Sequence, residues 1–306
     1  MTYNFSSLID NRRELAKLIS LLESEAEADR LQADNLVDEM LASPIRGRVI
    51  VITGMPGAGK STFINRFGTH LADQGQKIAV LAIDPSSQLT LGAIMGDKTR
   101  MTDLARHPNV FIRPSPSGAG YLGGVSPKTE DVIILLKAVG FDTIFIETIG
   151  VGQNENDACL FADYVMMIIP PATGDEIQAV KRGNIEFIDC VLINKHDGDT
   201  RQSAEATAHA YRSSLREDKL VLLVSSLEGT GFGAVGDIVQ QVQPKAHDPA
   251  VLLAYRLERS LFAELLAIPD VHALFNEVLL SSGSSRGRSR LFLNTLKKLL
   301  TKEAGI

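Results

Sequence analysis

The segment 54–61, with the sequence GMPGAGKS, constrains the fold more than any other feature of the chain. It fits the pattern GxxxxGK[ST], and it lies between the apolar run 48–53 and a stretch of helical character, which is the context that this pattern requires. Glycines in such a loop let backbone N–H groups surround a phosphate, and the N-terminus of the following helix adds positive potential. We therefore predict a phosphate-binding loop rather than a chance glycine turn.

Within this loop, two side chains have predicted roles in the chemistry. We expect Lys60 to reach the outer phosphates and Ser61 to hold Mg²⁺. The other predicted nucleotide contacts in this part of the chain are Gly57, Ala58, Gly59 and Thr62.

Short and nearly continuous apolar runs, rich in β-branched residues, follow one another along the chain with helical stretches between several of them. Such runs are typical of parallel strands that are buried on both faces. Together with the phosphate-binding loop they predict an α/β fold, a P-loop NTPase with a mostly parallel, doubly wound sheet. The predicted strands are 48–53, 77–83, 110–113, 143–147, 164–169, 189–194 and 219–225.

Amphipathic stripes at helical spacing predict helical extensions at both ends of this fold. The N-terminal stripe consists of Leu15, Leu18, Ile19 and Leu22, and a C-terminal stripe consists of Val271, Leu274, Phe275 and Val278. We predict an N-terminal helical extension at 1–45, a P-loop nucleotide-binding domain at 46–244 and a C-terminal helical extension at 245–306.

Composition and charge narrow the classes of protein to which the chain can belong. Of its 306 residues, 44% are hydrophobic and 22% are charged, which is enough apolar surface for a buried core. No apolar run reaches the roughly 18–20 residues that cross a bilayer, and the first residues lack a secretory pattern. We therefore expect a cytoplasmic protein with no membrane partner. The net charge of −6 also makes nucleic acid a poor candidate for a partner.

A second motif, NKHD, follows the sixth predicted strand and indicates recognition of guanine. The carboxylate of Asp197 can accept hydrogen bonds from N1–H and the exocyclic amine of guanine, whereas adenine offers neither donor pattern. Asn194 and Lys195 are the other predicted contacts of this motif. The end of the next strand either closes over the base or is an ordinary turn, and its residues are Ser225, Ser226 and Leu227.

Two acidic residues at the ends of predicted strands are candidates for the metal and catalytic chemistry. Ligands bind at the carboxyl ends of the strands in such sheets, so we predict Asp84 as a Mg²⁺ ligand, directly or through water. Glu147 and Gly150 occupy the place of a DxxG motif. There the glycine can pivot toward a γ-phosphate, and the acid can act on the metal or its waters. A helix cap or a surface carboxylate is the alternative for either acid.

Longer stretches of the chain resemble the MeaB/ArgK/MMAA GTPases, which belong to the SIMIBI class of P-loop proteins. The resemblance covers residues 46–226, and the segment 12–24 is similar to the N-terminal helix of that family. The matching sequences are GMPGAGKSTFIN, VLAIDPSS, GDKTRM, FIRPSPSGAGYLGGV, DTIFIETIGVGQNE, GDEIQAVKRGNIEF and NKHDGD. Motifs of this length and in this order are specific to the family.

The resemblance implies that the protein binds GTP and GDP with Mg²⁺ and hydrolyses GTP slowly. It also implies a chaperone for an adenosylcobalamin-dependent acyl-CoA mutase, typically methylmalonyl-CoA mutase. Such a chaperone gates cofactor loading and protects or reactivates the mutase. By motif, the catalytic and metal region contains Lys60, Asp84, Asp97 and Glu147. The implied switch residues are Gly150, Gln153, Asp175 and Lys181. Family members end in helices that form a dimerisation arm, so a homodimer is implied, although 245–306 carries no signature of the family.

Two other functions stay open from the residues alone. Metal-insertion GTPases of the nickel-enzyme type share the same core but usually carry a His-rich tract or a Cys motif, whereas this chain has six scattered histidines and two cysteines. A nucleotide-dependent kinase of the ArgK type is the other alternative. The NKHD motif argues for GTP over ATP, and the sequence contains no recognisable acceptor-binding motif.

Overall fold

A computed structural model gives the fold of most of the chain. It divides into two units, residues 1–246 and residues 247–306. The residues that the structure describes are 3–24, 26–84, 101–116, 127–148, 158–159, 161–171, 187–216, 219–245, 265, 268–280 and 291–296.

A seven-stranded sheet forms the centre of the first unit. Its strands are β1 (Arg48–Thr53), β2 (Ile78–Asp84), β3 (Val110–Pro116), β4 (Thr143–Glu147), β5 (Tyr164–Ile169), β6 (Cys190–Ile193) and β7 (Leu220–Leu223). They are ordered β3-β2-β4-β1-β5-β6-β7, and every neighbouring pair is parallel. The predicted α/β fold with a doubly wound sheet is therefore confirmed.

The bounds of the strands follow the apolar runs closely, with one extension at an edge. The predicted strands 48–53, 143–147 and 164–169 have the bounds that the sequence indicates. β3 continues to Pro116 instead of ending at Arg113. It is an edge strand, so one of its sides needs no ladder hydrogen bonds, and proline is tolerated there.

β6 and β7 are shorter than the runs that predicted them, and the polar residues on either side of β6 have side-chain contacts of their own. The carboxylate of Asp189, just before β6, accepts a hydrogen bond from the N–H of Val165 at 2.8 Å. The side chain of Asn194, just after β6, bonds to the carbonyl oxygen of Ala58 in the phosphate loop. The apolar pattern extends over residues whose side chains serve turns and the site.

Helices cover the sheet and form the N-terminal part of the first unit. They are α1 (Arg12–Glu23), α2 (Glu27–Leu41), α3 (Lys60–Asp73), α4 (Thr102–Arg106), α5 (Pro127–Val139), α6 (Arg201–Ser214) and α7 (Phe232–Gln241). α1 and α2 pack against α5, whereas α3 packs against α4 and α7. The apolar face of α3, with Phe63 and Phe67, joins Ile50 and Ile52 of β1 in one buried cluster.

The N-terminal stripe forms a capped amphipathic helix. The side chain of Asn11 accepts a hydrogen bond from the N–H of Glu14, which caps the start of α1. The buried residues of α1 are the four predicted ones, Leu15, Leu18, Ile19 and Leu22.

The described part of the second unit is helical. It contains α8 (Pro269–Leu280) and a helical turn at 291–296. Val271, Leu274 and Val278 of α8 are buried together with Leu296, as the C-terminal stripe predicts for these three positions of α8. Within the described ranges of the chain, no helix has both the length and the apolar composition that crossing a membrane requires.

Candidate nucleotide-binding site

The carboxyl ends of β1, β2 and β4 lie side by side at one edge of the sheet. In the strand register, Glu147 is paired with Ile52 on one side and with Ala82 on the other. The phosphate loop begins at Gly54, two residues after Ile52, and β2 ends at Asp84, two residues after Ala82. Both positions therefore lie just beyond the level of Glu147. Ligands bind at this edge in doubly wound sheets. The strand register alone thus brings the loop and the two predicted acids to the same edge.

Neighbouring groups fix the first and last glycines of the phosphate loop. Gly54 has a φ of 132°, and a Cβ at this position would collide with the carbonyl oxygen of Ile168 in β5. Gly59 has a φ of 95°, and its Cβ would lie 2.5 Å from Nδ2 of Asn194. Glycine alone combines this backbone conformation with such a close approach. The loop is therefore fitted against β5 on one side and against the NKHD motif on the other.

Lys60 begins α3 and folds its side chain back over the phosphate loop. Its ammonium donates hydrogen bonds to the carbonyl oxygens of Gly54 at 2.6 Å and Met55 at 3.1 Å. In the turn before it, Gly57 is exposed and Ala58 is buried. The positive charge is thus held at the backbone of the loop, next to a helix N-terminus, which is where anions bind.

Ser61 and Glu147 are in direct contact across the site. The hydroxyl of Ser61 donates a hydrogen bond to Oε1 of Glu147 at 2.6 Å, and 86 residues separate the two in the sequence. Thr62, the next residue of α3, is exposed. Hydroxyl and carboxylate oxygens are the kind of ligand that Mg²⁺ prefers. Two residues predicted for the metal and catalytic region therefore lie within hydrogen-bonding distance of each other.

The NKHD motif makes a tight turn after β6. Lys195 has a φ of 59°, in the left-handed region, and its carbonyl oxygen accepts a hydrogen bond from Oγ1 of Thr200 at 2.5 Å. The N–H of His196 donates to the carbonyl oxygen of Val224 at 3.0 Å, which ties the turn to the end of β7. The turn therefore has a defined conformation, set by contacts on both of its sides.

Asp197, the predicted guanine acceptor, is oriented by the loop that follows β7. The hydroxyl of Ser225 donates a hydrogen bond to Oδ2 of Asp197. The same hydroxyl oxygen accepts a hydrogen bond from the N–H of Glu228 at 3.0 Å, which fixes its position. The structure thus brings the predicted base acceptor together with the first residue of the predicted base-closing segment.

Asn194 connects three parts of the site that the sequence describes separately. Its Nδ2 donates a hydrogen bond to the carbonyl oxygen of Ala58 at 2.9 Å. Its Oδ1 accepts hydrogen bonds from the N–H and the hydroxyl of Ser226, at 3.1 Å and 2.8 Å. The NKHD motif is therefore bonded both to the phosphate loop and to the segment after β7. The motifs predict which residues belong to the site, but they do not predict these bonds between them.

The sequence analysis did not predict a role for two residues of α3, Asn65 and Arg66. Nη2 of Arg66 donates a hydrogen bond at 3.3 Å to the carbonyl oxygen of Leu227, which is 67% exposed. Asn65, the residue before Arg66, is buried and bonds to α4. A signal for Asn65 was present, because it is a polar residue inside the otherwise apolar stripe of α3, which includes Phe63 and Phe67.

Several predicted residues lie outside the part of the chain that the structure describes. They are Asp97, Gly150, Gln153, Asp175 and Lys181. Among the residues with described positions, no three His, Cys, Asp or Glu side chains come together as a metal-binding group.

Comparison with known proteins identifies the family. The sequence model described as "Methylmalonyl Co-A mutase-associated GTPase MeaB" matches residues 15–264. A Mycobacterium tuberculosis relative that is named as a GTPase is 41% identical over 239 residues, which cover 76% of this chain and 71% of the relative. The mouse protein "Methylmalonic aciduria type A homolog, mitochondrial" is 40% identical over 259 residues, which cover 78% of this chain and 62% of that protein.

A solved structure agrees with these sequence matches. The crystal structure of a LAO/AO transport system kinase has a TM-score of 0.69 and 26% sequence identity to this chain, with 96% of each chain covered. The predicted P-loop fold and the resemblance to the MeaB/ArgK/MMAA proteins are both confirmed. The chain therefore belongs to the MeaB family of methylmalonyl-CoA mutase-associated GTPases.

Proposed function

We propose that this protein binds GTP and GDP at the edge formed by β1, β4 and β6, and that it hydrolyses GTP slowly. The observation that carries the proposal is the hydrogen bond from Nδ2 of Asn194 to the carbonyl oxygen of Ala58. It supports a single site, because it bonds a base-reading motif to a phosphate-binding loop. Membership of a family of GTPases supports the same conclusion.

Recognition of guanine is assigned to Asp197. Its carboxylate would accept hydrogen bonds from N1–H and the exocyclic amine of the base, while Ser225 keeps it oriented. Adenine would leave this carboxylate without donors, so its binding would be weaker than that of guanine. Asn194, Ser226 and Leu227 would then enclose the base from the side of β7.

The phosphates are assigned to the loop and to the first turn of α3. Backbone N–H groups of Gly57, Ala58 and Gly59 would contact them, and Lys60 would exchange its bonds to the loop carbonyls for the outer phosphates. Thr62, exposed in the first turn of α3, completes the proposed contacts.

The chemistry of the Ser61–Glu147 pair fits Mg²⁺. Both side chains supply oxygen atoms, and these lie 2.6 Å apart at the edge where β2 ends with Asp84. Ser61 would hold the ion directly, with Glu147 and Asp84 as further ligands or as partners of its waters. The ion would supply positive charge against the phosphates. Asp97 is proposed as a further acid of this region.

For the cellular role, we propose a chaperone of an adenosylcobalamin-dependent acyl-CoA mutase. The description of the family names methylmalonyl-CoA mutase, and the name of the mouse relative refers to methylmalonic aciduria. The protein would gate cofactor loading and would protect or reactivate the mutase. Gly150, Gln153, Asp175 and Lys181 are the proposed switch residues, and a homodimer is the proposed assembly.

Base exchange tests the nucleotide assignment. Xanthine carries a carbonyl group where guanine carries its exocyclic amine, so Asp197→Asn should weaken GTP binding and strengthen binding of xanthosine triphosphate. The expected change is at least about tenfold for each, because a hydrogen bond to a charged group contributes about 1.5–3 kcal/mol. Asp199→Asn is the control, since Asp199 is an exposed acid two residues away. Tighter binding of ATP than of GTP by the unaltered protein would refute the proposal.

The partner assignment is tested by mixing the protein with purified adenosylcobalamin-dependent acyl-CoA mutases. We expect a complex in gel filtration and faster GTP hydrolysis in its presence. If candidate mutases produced neither a complex nor a change in rate, the chaperone proposal would fail even if GTP binding were established.

A further inference from the structure

We infer that Asn65 is a positioning residue for GTP hydrolysis, because it fixes helix α4 against the helix that carries Ser61. The inference rests on the proposed function. Asn65 lies four residues after Ser61 on α3, so the two side chains lie on the same side of the helix, one turn apart. Whatever Asn65 holds is therefore held next to the proposed metal and phosphate region.

Asn65 caps α4 from a different helix. Its Oδ1 accepts a hydrogen bond from the N–H of Leu104 at 3.0 Å, and its Nδ2 donates to Oδ2 of Asp103 at 3.4 Å. The N-cap residue of α4 is Met101, whose side chain has no oxygen to accept from the first turn. Asn65 is 8% exposed, so the bond to Leu104 is shielded from water. The start of α4 therefore depends on α3 for its capping.

The packing around this bond is close. A Cβ built on Gly68, one turn further along α3, would lie 3.0 Å from both methyl groups of Leu104. Leu104 and Met101 are both buried in the same cluster as Phe63 and Phe67. α4 thus rests directly on the backbone of α3, with Asn65 as the polar contact in an apolar surface.

This contact has a consequence for the site, because the chain that leaves β2 at Asp84 returns to the described structure at Met101. The start of that connection is fixed by the strand register beside Glu147. Its end is fixed by Asn65, one turn beyond Ser61. One end therefore lies beside Glu147 and the other is held one turn from Ser61, whereas neither end is held by the NKHD turn.

The expected effect is selective for the hydrolysis step. Binding of GDP relies on the loop, on the first turn of α3 and on the NKHD motif, whereas the side chain of Asn65 bonds to α4. Release of α4 should therefore lower kcat for GTP with little change in GDP affinity. Loss of overall folding would instead change both quantities together, and this difference separates positioning from a general structural role.

The test compares Asn65→Ala, Asn65→Asp and the double variant Asn65→Asp with Asp103→Asn. Asn65→Ala removes both bonds, and we expect kcat to fall at least about fivefold while the Kd of GDP changes less than about twofold. Asn65→Asp still offers an acceptor to Leu104 but places a second carboxylate beside Asp103, so kcat should fall as well. The double variant removes this repulsion and restores both bonds, so kcat should return toward the original value. Gln74→Ala is the control, because Gln74 is exposed at the C-terminus of the same helix and its side chain contacts His70 of that helix rather than α4.

Each outcome decides the inference. An unchanged kcat in Asn65→Ala, or an equal loss of kcat and GDP affinity, would overturn it. If Asn65→Ala fails to fold, the comparison of Asn65→Asp with the double variant decides in its place, and absence of rescue would count against the inference. Failure of the unaltered protein to bind guanine nucleotides would refute the proposed function instead.

Discussion

Oε2 of Glu23, at the C-terminus of α1, lies 2.5 Å from Nη2 of Arg113 on the edge strand β3. Lys128, in the first turn of α5, donates hydrogen bonds to the carbonyl oxygens of Glu23 and Ser24 at 3.1 Å and 3.0 Å. A helix C-terminus carries partial negative charge. Two cations from separate elements therefore meet at one helix end, and α1 links β3 to α5.

Removal of the Glu23 carboxylate should destabilise the fold. The side chains of Glu23 and Arg113 are 10% and 25% exposed, so Glu23→Ala leaves a mostly buried guanidinium without this partner. We expect the free energy of unfolding in urea to fall by about 2–4 kcal/mol. Glu14→Ala breaks the exposed pair with Lys17 in the same helix and should cost less than about 1 kcal/mol. Equal losses in the two variants would contradict the role given to Glu23.

Substitution of Asn194 tests whether the hydrogen bond between the NKHD motif and the phosphate loop contributes to nucleotide binding. Asn194→Ala removes the bonds to Ala58 and to Ser226, whereas Asn194→Asp keeps an acceptor for Ser226 and loses only the donor to Ala58. Both variants should weaken GDP binding by about tenfold or more, since one unmade buried hydrogen bond costs about 1–3 kcal/mol. Isothermal titration measures the affinity. If Asn194→Asp bound GDP as tightly as the unaltered protein, the bond to Ala58 would have no part in binding.

Gly59 and Gly75 form a matched pair for a steric prediction. Both have positive φ, 95° and 88°, but a Cβ on Gly59 would lie 2.5 Å from Nδ2 of Asn194, while on Gly75 it would meet no described atom within 4 Å. Each change to Ala should cost about 1 kcal/mol of unfolding free energy for the backbone conformation. Gly59→Ala alone should also weaken nucleotide binding by about tenfold or more, because it displaces Asn194. Binding of GDP by Gly59→Ala with unchanged affinity would contradict the fit described for the loop.

Stability should fall in alkaline solution because three acidic side chains keep their protons to a higher pH in the folded protein than in the unfolded chain. Burial raises the pKa of Tyr211 to about 12, and burial together with the nearby charge of Asp189 raises the pKa of Cys190 to about 12. Burial also raises the pKa of Tyr164. In the unfolded chain these groups lose their protons near pH 9 to 10, so the unfolded state binds fewer protons than the folded state. The free energy of unfolding therefore declines as the pH rises from about 9 toward 12.

The variant Tyr211→Phe measures how much Tyr211 alone contributes to the loss of stability at high pH. The hydroxyl of Tyr211 is buried and has no hydrogen-bond partner among the described residues. Its removal should raise the free energy of unfolding by about 1 kcal/mol at neutral pH and reduce the alkaline decline. Tyr3→Phe, at a residue that is 38% exposed, serves as the control. Thermal unfolding monitored from pH 7 to 11 measures both effects, and a lower Tm of Tyr211→Phe at pH 7 would indicate an unrecognised partner of the hydroxyl.

The sequence predicted the strands better than their arrangement. All seven apolar runs form strands, because a strand buried on both faces must be apolar along its length. The insertion of β4 between β1 and β2 could not be predicted, since the apolar pattern does not specify which strands become neighbours. The short helix α4 was also missed, because five residues are too few to show helical periodicity.

The motifs predicted which residues form the candidate site, but they did not predict the hydrogen bonds between those residues. The strand pattern predicted that Glu147 ends a strand at the same edge as the phosphate loop, and the fold brings its side chain to Ser61. The bond between Asn194 and Ala58 joins residues that are 136 positions apart, so no local pattern could show it. Asn65 was missed for a related reason, as its partner Leu104 belongs to a helix that the pattern did not reveal.

Gly54 has a consequence for how such chains change during evolution. A Cβ at Gly54 would collide with the backbone of β5, so glycine is required there for β1 and β5 to pair, whether or not a nucleotide binds. Gly57 differs, because a Cβ there would meet no described atom within 4 Å and only its φ of 79° favours glycine. A descendant that lost its nucleotide chemistry would therefore keep the first glycine of the loop under selection for folding alone. Replacement of Gly54 should therefore damage the fold itself, whereas replacement of Gly57 should strain only the phosphate loop.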